Sequence, residues 1–379
     1  MPIRTFRTLA RLVAVAAGEF LLTSSCGAQT LPAPTGAHPV GRITVHFVDA
    51  ARGDDQGTHE DHKREFMAQV WYPAEAGAKG KPAPWMPPDW ARLEENGILG
   101  MRLKRSVDPS AKDIPKALAS VVIHAREDVP PAAAPKRFPV LVFSSGSLMF
   151  PSEYSYLVED LASLGFVVIG NVPTGYVRAI SFPAGNVTPS FKKPNFPLWP
   201  GDLAYELDQL QAWNTTRGHR FFDRLDLDRV GAFGHSAGGT AVVTLAARDK
   251  RVKAVALLDP GSARPEDGKA IPTLLLKSEG RDLARRFPEV AKATAETRAE
   301  YLRKARPGIS ITLLGAEHLS FTDLAVLTAF ALPGDGKAFT DTTRALVREF
   351  FGQYLLGKPS ELFEKGSAKY PLARVEPTR

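Results

Sequence analysis

The sequence predicts an α/β fold, with a mostly parallel central sheet covered by helices on both faces and an antiparallel N-terminal edge. Three observations lead there. Short apolar runs alternate with helix-length segments through most of the chain. The first two runs instead alternate apolar and polar residues, as half-buried antiparallel strands do. In the middle, an apolar strand passes through Gly234-His235-Ser236-Ala237-Gly238 directly into a helix-forming segment.

In chain order, Arg42–Val48 and Phe66–Tyr72 are the two alternating strands, and the Pro- and Ala-rich residues 73–90 read as a surface loop. Residues 91–134 are expected to form short helices over the core. Pro139–Phe143 is wholly apolar, which suits a buried parallel strand. A helix follows over Tyr154–Leu164 and a strand over Gly165–Gly170. Residues 176–200 are rich in Pro, Gly and Asn with little periodicity, and read as a lid-like excursion. Asp202–Thr216 is an amphipathic helix leading to the central strand, and Thr240–Ala247 is the helix after it. Val252–Leu258 and Pro272–Leu276 are two more buried strands. Phe287–Lys304 reads as a charged helix, Ser310–Leu314 as the last strand and Thr340–Leu356 as a closing helix.

A chain of 379 residues, 44% hydrophobic and 23% charged, can bury a large core in one domain with insertions. The net charge is +7, but no basic cluster interleaved with aromatics is present, so nucleic acid is not an expected partner. Residues 1–28 read as an export signal: Arg4, Arg7 and Arg11 precede the apolar Leu12–Gly18, and the stretch is too short and interrupted to span a bilayer. Two processing routes fit. Cys26-Gly27-Ala28 resembles a small-x-small cleavage site, releasing a chain that starts near Gln29. Leu22–Cys26 resembles a bacterial lipobox, with Thr23 and Glu19 departing from the pattern; lipidated at Cys26, the protein would associate peripherally with a membrane. Cys26 is the only cysteine, so no disulfide or cysteine nucleophile is expected in the mature chain. Residues 29–379 then form the folded domain.

The Gly-x-Ser-x-Gly run has the strand–turn–helix context of a nucleophile elbow. The turn is so tight that side chains at its flanks would collide, hence the glycines around Ser236. A serine hydroxyl is a weak nucleophile until a base removes its proton and a third group holds that base. Strand–Ser–helix elbows of this kind belong to α/β-hydrolases, whose chain order is serine, acid, histidine. Beyond Ser236 there is one histidine, His318, four residues after the last strand. His235 neighbours the serine, but its side chain is expected to point away. For the acid, both Asp259 and Asp282 follow buried strands, at the sheet edge where ligands bind in open α/β folds, and spacing alone favours Asp282 slightly. The N–H of Ala237 faces the same space as the serine hydroxyl. The histidines are scattered without ligand spacing, so neither a metal nor a cofactor is expected.

Several blocks, in order, resemble the platelet-activating factor acetylhydrolase family, lipase-like esterases of the α/β-hydrolase superfamily. They are Pro34–Gly41, Gln69–Ala74, Phe138–Gly146, Leu161–Val168, Leu225–Gly231 and the His318 loop with Ser320-Phe321-Thr322-Asp323, together covering about residues 31–357. The resemblance implies that the acid is Asp259, with Asp282 second. It also implies Ser147 as a second oxyanion donor. Where the family commonly has a histidine before the loop glycine, this chain has Ser145, and residues 176–200 show no clear match. The expected function is an exported serine hydrolase cleaving short-acyl or phospholipid-like carboxylic esters through an acyl-enzyme. A polyester- or cutin-type hydrolase and an inactive exported binding protein on the same scaffold are the alternatives.

Overall fold

The computed structural model describes residues 29–54, 61–103, 113–183, 185, 187–188, 197–261, 270–280, 285, 288–330, 332, 334–360 and 369–376. Among them the strands are β1 (Val40–Gly53), β2 (Lys63–Pro73), β3 (Pro82–Pro84), β4 (Val122–Glu127), β5 (Phe138–Ser144), β6 (Val167–Val172), β7 (Ile180–Ser181), β8 (Val187–Thr188), β9 (Leu225–His235), β10 (Val252–Leu258), β11 (Thr273–Ser278), β12 (Gly308–Leu313) and β13 (Ala373–Glu376). The helices are α1 (Pro88–Leu93), α2 (Ile98–Leu103), α3 (Ile114–Ala119), α4 (Ser155–Ser163), α5 (Leu198–Thr215), α6 (Ser236–Arg248), α7 (Pro288–Lys304) and α8 (Gly336–Leu356).

Wholly apolar strands bury both faces, so they take the middle of the sheet and need helices above and below. The order is β13-β12-β11-β10-β9-β5-β6-β2-β1-β4-β3, and the stretch from β12 to β6 is parallel throughout. Every residue of β5 and β6 is buried. One face carries α4 and α8, packed through Leu157, Leu161, Leu346 and Phe350; the other carries α5, α6 and α7 through Leu203, Leu207, Val242 and Tyr301. Each fully buried Leu, Val or Phe contributes roughly 1.5–3 kcal/mol. The antiparallel N-terminal edge is present, with β2 against β6 and β1 against β2. This is the α/β-hydrolase architecture.

Several local expectations differ. β2 is buried along Arg64–Pro73 rather than half-exposed, because both its faces are covered. The loop 73–90 buries Trp85 and Met86 and contains β3. Residues 91–134 hold short helices as expected, and also β4, a strand between β1 and β3 whose polar side chains disguised it. β13 adds a second antiparallel edge beside β12. The helix expected from Asp202 begins at Leu198. Part of the stretch 176–200 is not a loose excursion: Tyr176, Val177, Ile180 and Phe182 are buried. Positions 184, 186 and 189–196 lie outside the described residues, as do Cys26 and the expected signal segment.

A buried ion cluster ties the sheet to the segment beyond β6. Arg64 on β2 donates to Asp54 at 2.5 Å, to Asp202 at 2.5 and 2.9 Å, and to the Thr174 carbonyl at 3.0 Å. Burial lowers the guanidinium pKa, but Asp202 and Asp54 outweigh it and hold the charge firmly in place. Removing one partner of such a cluster strands the others without compensation. Arg64→Met is therefore expected to destabilise the fold by about 3–5 kcal/mol, read as a lowered urea midpoint with an unchanged slope.

Candidate active site

β9 ends at His235, and Ser236 opens α6 with φ at 53°, a left-handed value that costs a non-glycine residue about 1–3 kcal/mol. The flanking glycines follow from contact. A side chain on Gly234 would come within 2.6 Å of the Gly238 carbonyl, and one on Gly238 within 2.1 Å of the Ser145 carbonyl. Helix α6 thus starts in direct contact with the end of β5.

The serine hydroxyl lies 3.0 Å from His318 Nε2, and His318 Nδ1 lies 2.7 Å from Asp259 Oδ2. A neutral ring with its hydrogen on Nδ1 donates to the carboxylate and leaves Nε2 to accept the serine proton. The three residues follow the C-terminal ends of parallel strands of one sheet: Ser236 after β9, Asp259 after β10 and His318 after β12. Asp259 is 5% exposed, whereas the His318 side chain is half exposed, so the dyad opens to solvent while the acid does not. Asp282 lies outside the described residues.

Two residues that the sequence reading passed over hold Asp259. Ser278, at the end of β11, donates to Oδ2 at 2.7 Å, and Arg298 on α7 reaches Oδ1 at 3.1 Å. Arg298 Nε also donates to the Pro260 carbonyl at 2.9 Å. Burial pushes the Asp259 carboxyl upward, but the His318 hydrogen bond, the Arg298 charge and the Ser278 hydroxyl overcome it and hold the pKa well below the usual carboxylate range. Ser278 could be foreseen from its place at a strand end two residues beyond the Leu258–Leu276 pairing. Arg298 carried no signal, since one arginine on a charged helix looks like a solvated residue.

The loop after β5 lies against the nucleophile: a side chain on Gly146 would stand 3.4 Å from Ser236 Cβ. Around it, Leu148 N–H bonds the Tyr176 carbonyl at 2.7 Å and Met149 N–H the Gly146 carbonyl at 3.1 Å. The Ser147 N–H has no hydrogen-bond partner among the described residues. Ala237 sits in the first turn of α6, where N–H groups have no intrahelical acceptor. Ser145 is buried and donates to the Met149 carbonyl at 2.9 Å, closing the turn. Arg178 braces the same loop, donating to the Leu148 carbonyl and pairing with Glu94 at 2.5 Å and Glu153 at 2.6 Å. It belongs to the 176–200 stretch, whose irregular composition concealed a buried role.

The His318 loop is pinned by Asp323. Its carboxyl accepts from Trp85 Nε1 at 2.7 Å and from the N–H groups of Ser155 and Tyr156 at 2.9 and 3.0 Å. Burial pushes this carboxyl up to about 8 despite those donors. The Ser320–Asp323 block thus seats the imidazole loop on the start of α4.

Comparison with known proteins agrees with this architecture. Residues 23–172 match the family model for platelet-activating factor acetylhydrolase, isoform II, a span that ends before Ser236. No curated protein sequence matches the chain. Among solved structures, the chain is similar to a ferulic acid esterase from Streptomyces cinnamoneus. That match has a TM-score of 0.74 and 26% identity, and covers 92% of this chain and 100% of the esterase. With that fold, that family match and that esterase neighbour, the chain is a carboxylic-ester hydrolase of the α/β-hydrolase fold, similar through residues 23–172 to the platelet-activating factor acetylhydrolases.

Proposed function

We propose that the protein is an exported serine esterase that cleaves short-acyl or phospholipid-like esters through Ser236, His318 and Asp259. The observation that carries this reading is the unbroken hydrogen-bonded chain from the serine hydroxyl through His318 to a buried, ionised Asp259. Ser236 Oγ attacks the ester carbonyl carbon while His318 Nε2 takes its proton. Asp259 orients the ring and stabilises the imidazolium that forms. The carbonyl oxygen, now an oxyanion, is held by the N–H groups of Ala237 and Ser147; one such donor is typically worth about 3–4 kcal/mol. The tetrahedral species collapses, and the alcohol leaves with the proton from His318. Water, deprotonated by the same ring, then releases the acid and restores the serine. Export is supported by the leader-like residues 1–28. Gln29, first residue of the expected mature chain, is already tied to the folded body through Val326 and Thr328.

A second reading of the substrate has one observation behind it: the structural neighbour is a ferulic acid esterase, which favours feruloyl esters as the acyl donors. Kinetics on p-nitrophenyl acetate, butyrate and decanoate, methyl ferulate and a short-acyl phosphatidylcholine separate the two. The highest kcat/KM is expected for acetyl or butyryl esters or the phospholipid; a clear maximum on methyl ferulate selects the second reading.

Ser236→Ala is expected to abolish fluorophosphonate labelling and lower kcat by more than about 10⁴-fold; substantial turnover by this variant rejects the mechanism. Asp259→Asn is expected to cost about 10²–10⁴-fold in kcat, because the amide favours the wrong ring tautomer. The pH profile follows from the depressed pKa of Asp259. Its carboxyl stays ionised down through pH 4, so it adds no proton uptake of its own to the acid limb. The acid limb of log kcat/KM against pH is therefore expected to have a slope of one. A slope of two above pH 4 would show that the carboxylate also titrates there.

A further inference from the structure

Beneath the serine–imidazole pair runs a second hydrogen-bonded chain that the proposed reaction does not use. The Gly146 N–H lies 3.2 Å from the Tyr154 hydroxyl oxygen. That hydroxyl lies 2.7 Å from His235 Nδ1. His235 Nε2 lies 3.0 Å from the carbonyl oxygen of His318. Tyr154 and His235 are both fully buried.

The direction of each bond follows from what each group can do. A carbonyl only accepts, so His235 carries its ring hydrogen on Nε2. Burial, and then the neighbouring His318, lower the His235 pKa to about 3, so the ring is neutral and Nδ1 is bare. The Tyr154 hydroxyl donates to that nitrogen in preference to Met149 Sδ, a weak acceptor at 3.2 Å. Its oxygen is left to accept from Gly146. Three bonds then point the same way, and each polarises the next.

The ends of this chain are the two loops whose spacing matters. Gly146 precedes Ser147, the proposed oxyanion donor, and the other end is the backbone of the proposed base. These loops follow β5 and β12, with β9, β10 and β11 between them, so no strand pairing joins them directly. The His235 ring also lies against the His318 ring, with centroids 4.5 Å apart. We propose that Tyr154 and His235 are positioning residues that hold the oxyanion loop and the base loop at one fixed separation across the nucleophile. The proposal rests on the Ser236–His318–Asp259 reading above. The invariance it requires is geometric: the chain contributes no proton and touches no reacting atom.

The test is steady-state kinetics on p-nitrophenyl acetate, per active site titrated with a fluorophosphonate, for Tyr154→Phe, His235→Leu, His235→Gln and the Tyr154→Phe/His235→Leu double variant. Misplaced donors and base weaken the transition state more than the bound ester. Tyr154→Phe and His235→Leu are thus expected to lose about 10–100-fold in kcat with KM changed less than about threefold. Glutamine can still donate to the His318 carbonyl and accept from Tyr154, so His235→Gln is expected to recover about tenfold over His235→Leu. Both single changes break one chain, so the double variant is expected to be no slower than the slower single. Full kcat per titrated site in the single variants, losses that multiply in the double, or equal rates for the Gln and Leu variants would each overturn the proposal. Should Tyr154→Phe fail to fold, the Gln–Leu comparison decides. Turnover surviving in Ser236→Ala would instead sink the catalytic reading itself, and so separates the two failures.

Discussion

The site depends on an absence of side chain. Because Gly238 has no Cβ, helix α6 can begin in contact with the carbonyls of Ser144 and Ser145 at the end of β5. That contact forces the chain to turn within a few residues and leaves Ser236 in a left-handed conformation at its tip. It also brings Gly146, in the loop after β5, alongside the serine. A methyl group at position 238 would lift the helix and disperse all of these groups together. Parallel strands on one side of β9 then deliver Asp259 and His318 to the same end of the sheet, since their C-terminal ends are aligned by the β9–β10–β11–β12 ladders.

Around that turn, charge is managed in two ways. The acid that faces His318 is buried but surrounded by donors, so it stays ionised where an isolated buried carboxyl would not. The imidazole that lies under His318 is buried with a neutral partner on each side, so it stays uncharged. A cation there would oppose the imidazolium that the proposed mechanism requires on His318. Arg178 and Arg64, by contrast, keep their charges inside the protein because carboxylates and carbonyls meet their donors. Arg64, on the sheet, holds the segment after β6, and Arg178, within that segment, ties it to the loop beside the nucleophile. That segment is irregular in sequence, but its first residues are anchored as firmly as the core.

Much of the framework is legible along the chain. The runs at Pro139–Phe143 and Val252–Leu258 read as buried strands because short, nearly continuous apolar stretches suit the middle of a parallel sheet. Ser236 stands out through its glycines, and His318 through being the last histidine. The resemblance to the acetylhydrolases moved the acid from Asp282 to Asp259, a choice that strand spacing alone did not make; the matched family span ends before either position. Strands outside the parallel middle of the sheet were harder. β4 and β13 carry exposed polar side chains, and β2 looks half-exposed although helices and loops cover it on both sides.

What the sequence determined by itself was therefore what local sterics and periodicity govern: which segments are buried strands, which are helices, and where a turn admits only glycine. What only the tertiary structure decided was which distant groups meet. Arg298 reaches Asp259 from a helix that reads as solvent-facing, Tyr154 reaches His235 across 81 residues, and Asp323 seats its loop on the start of α4. Such pairings depend on how helices and loops pack over the sheet, and a side chain's partner across that distance leaves no mark on the residues beside it.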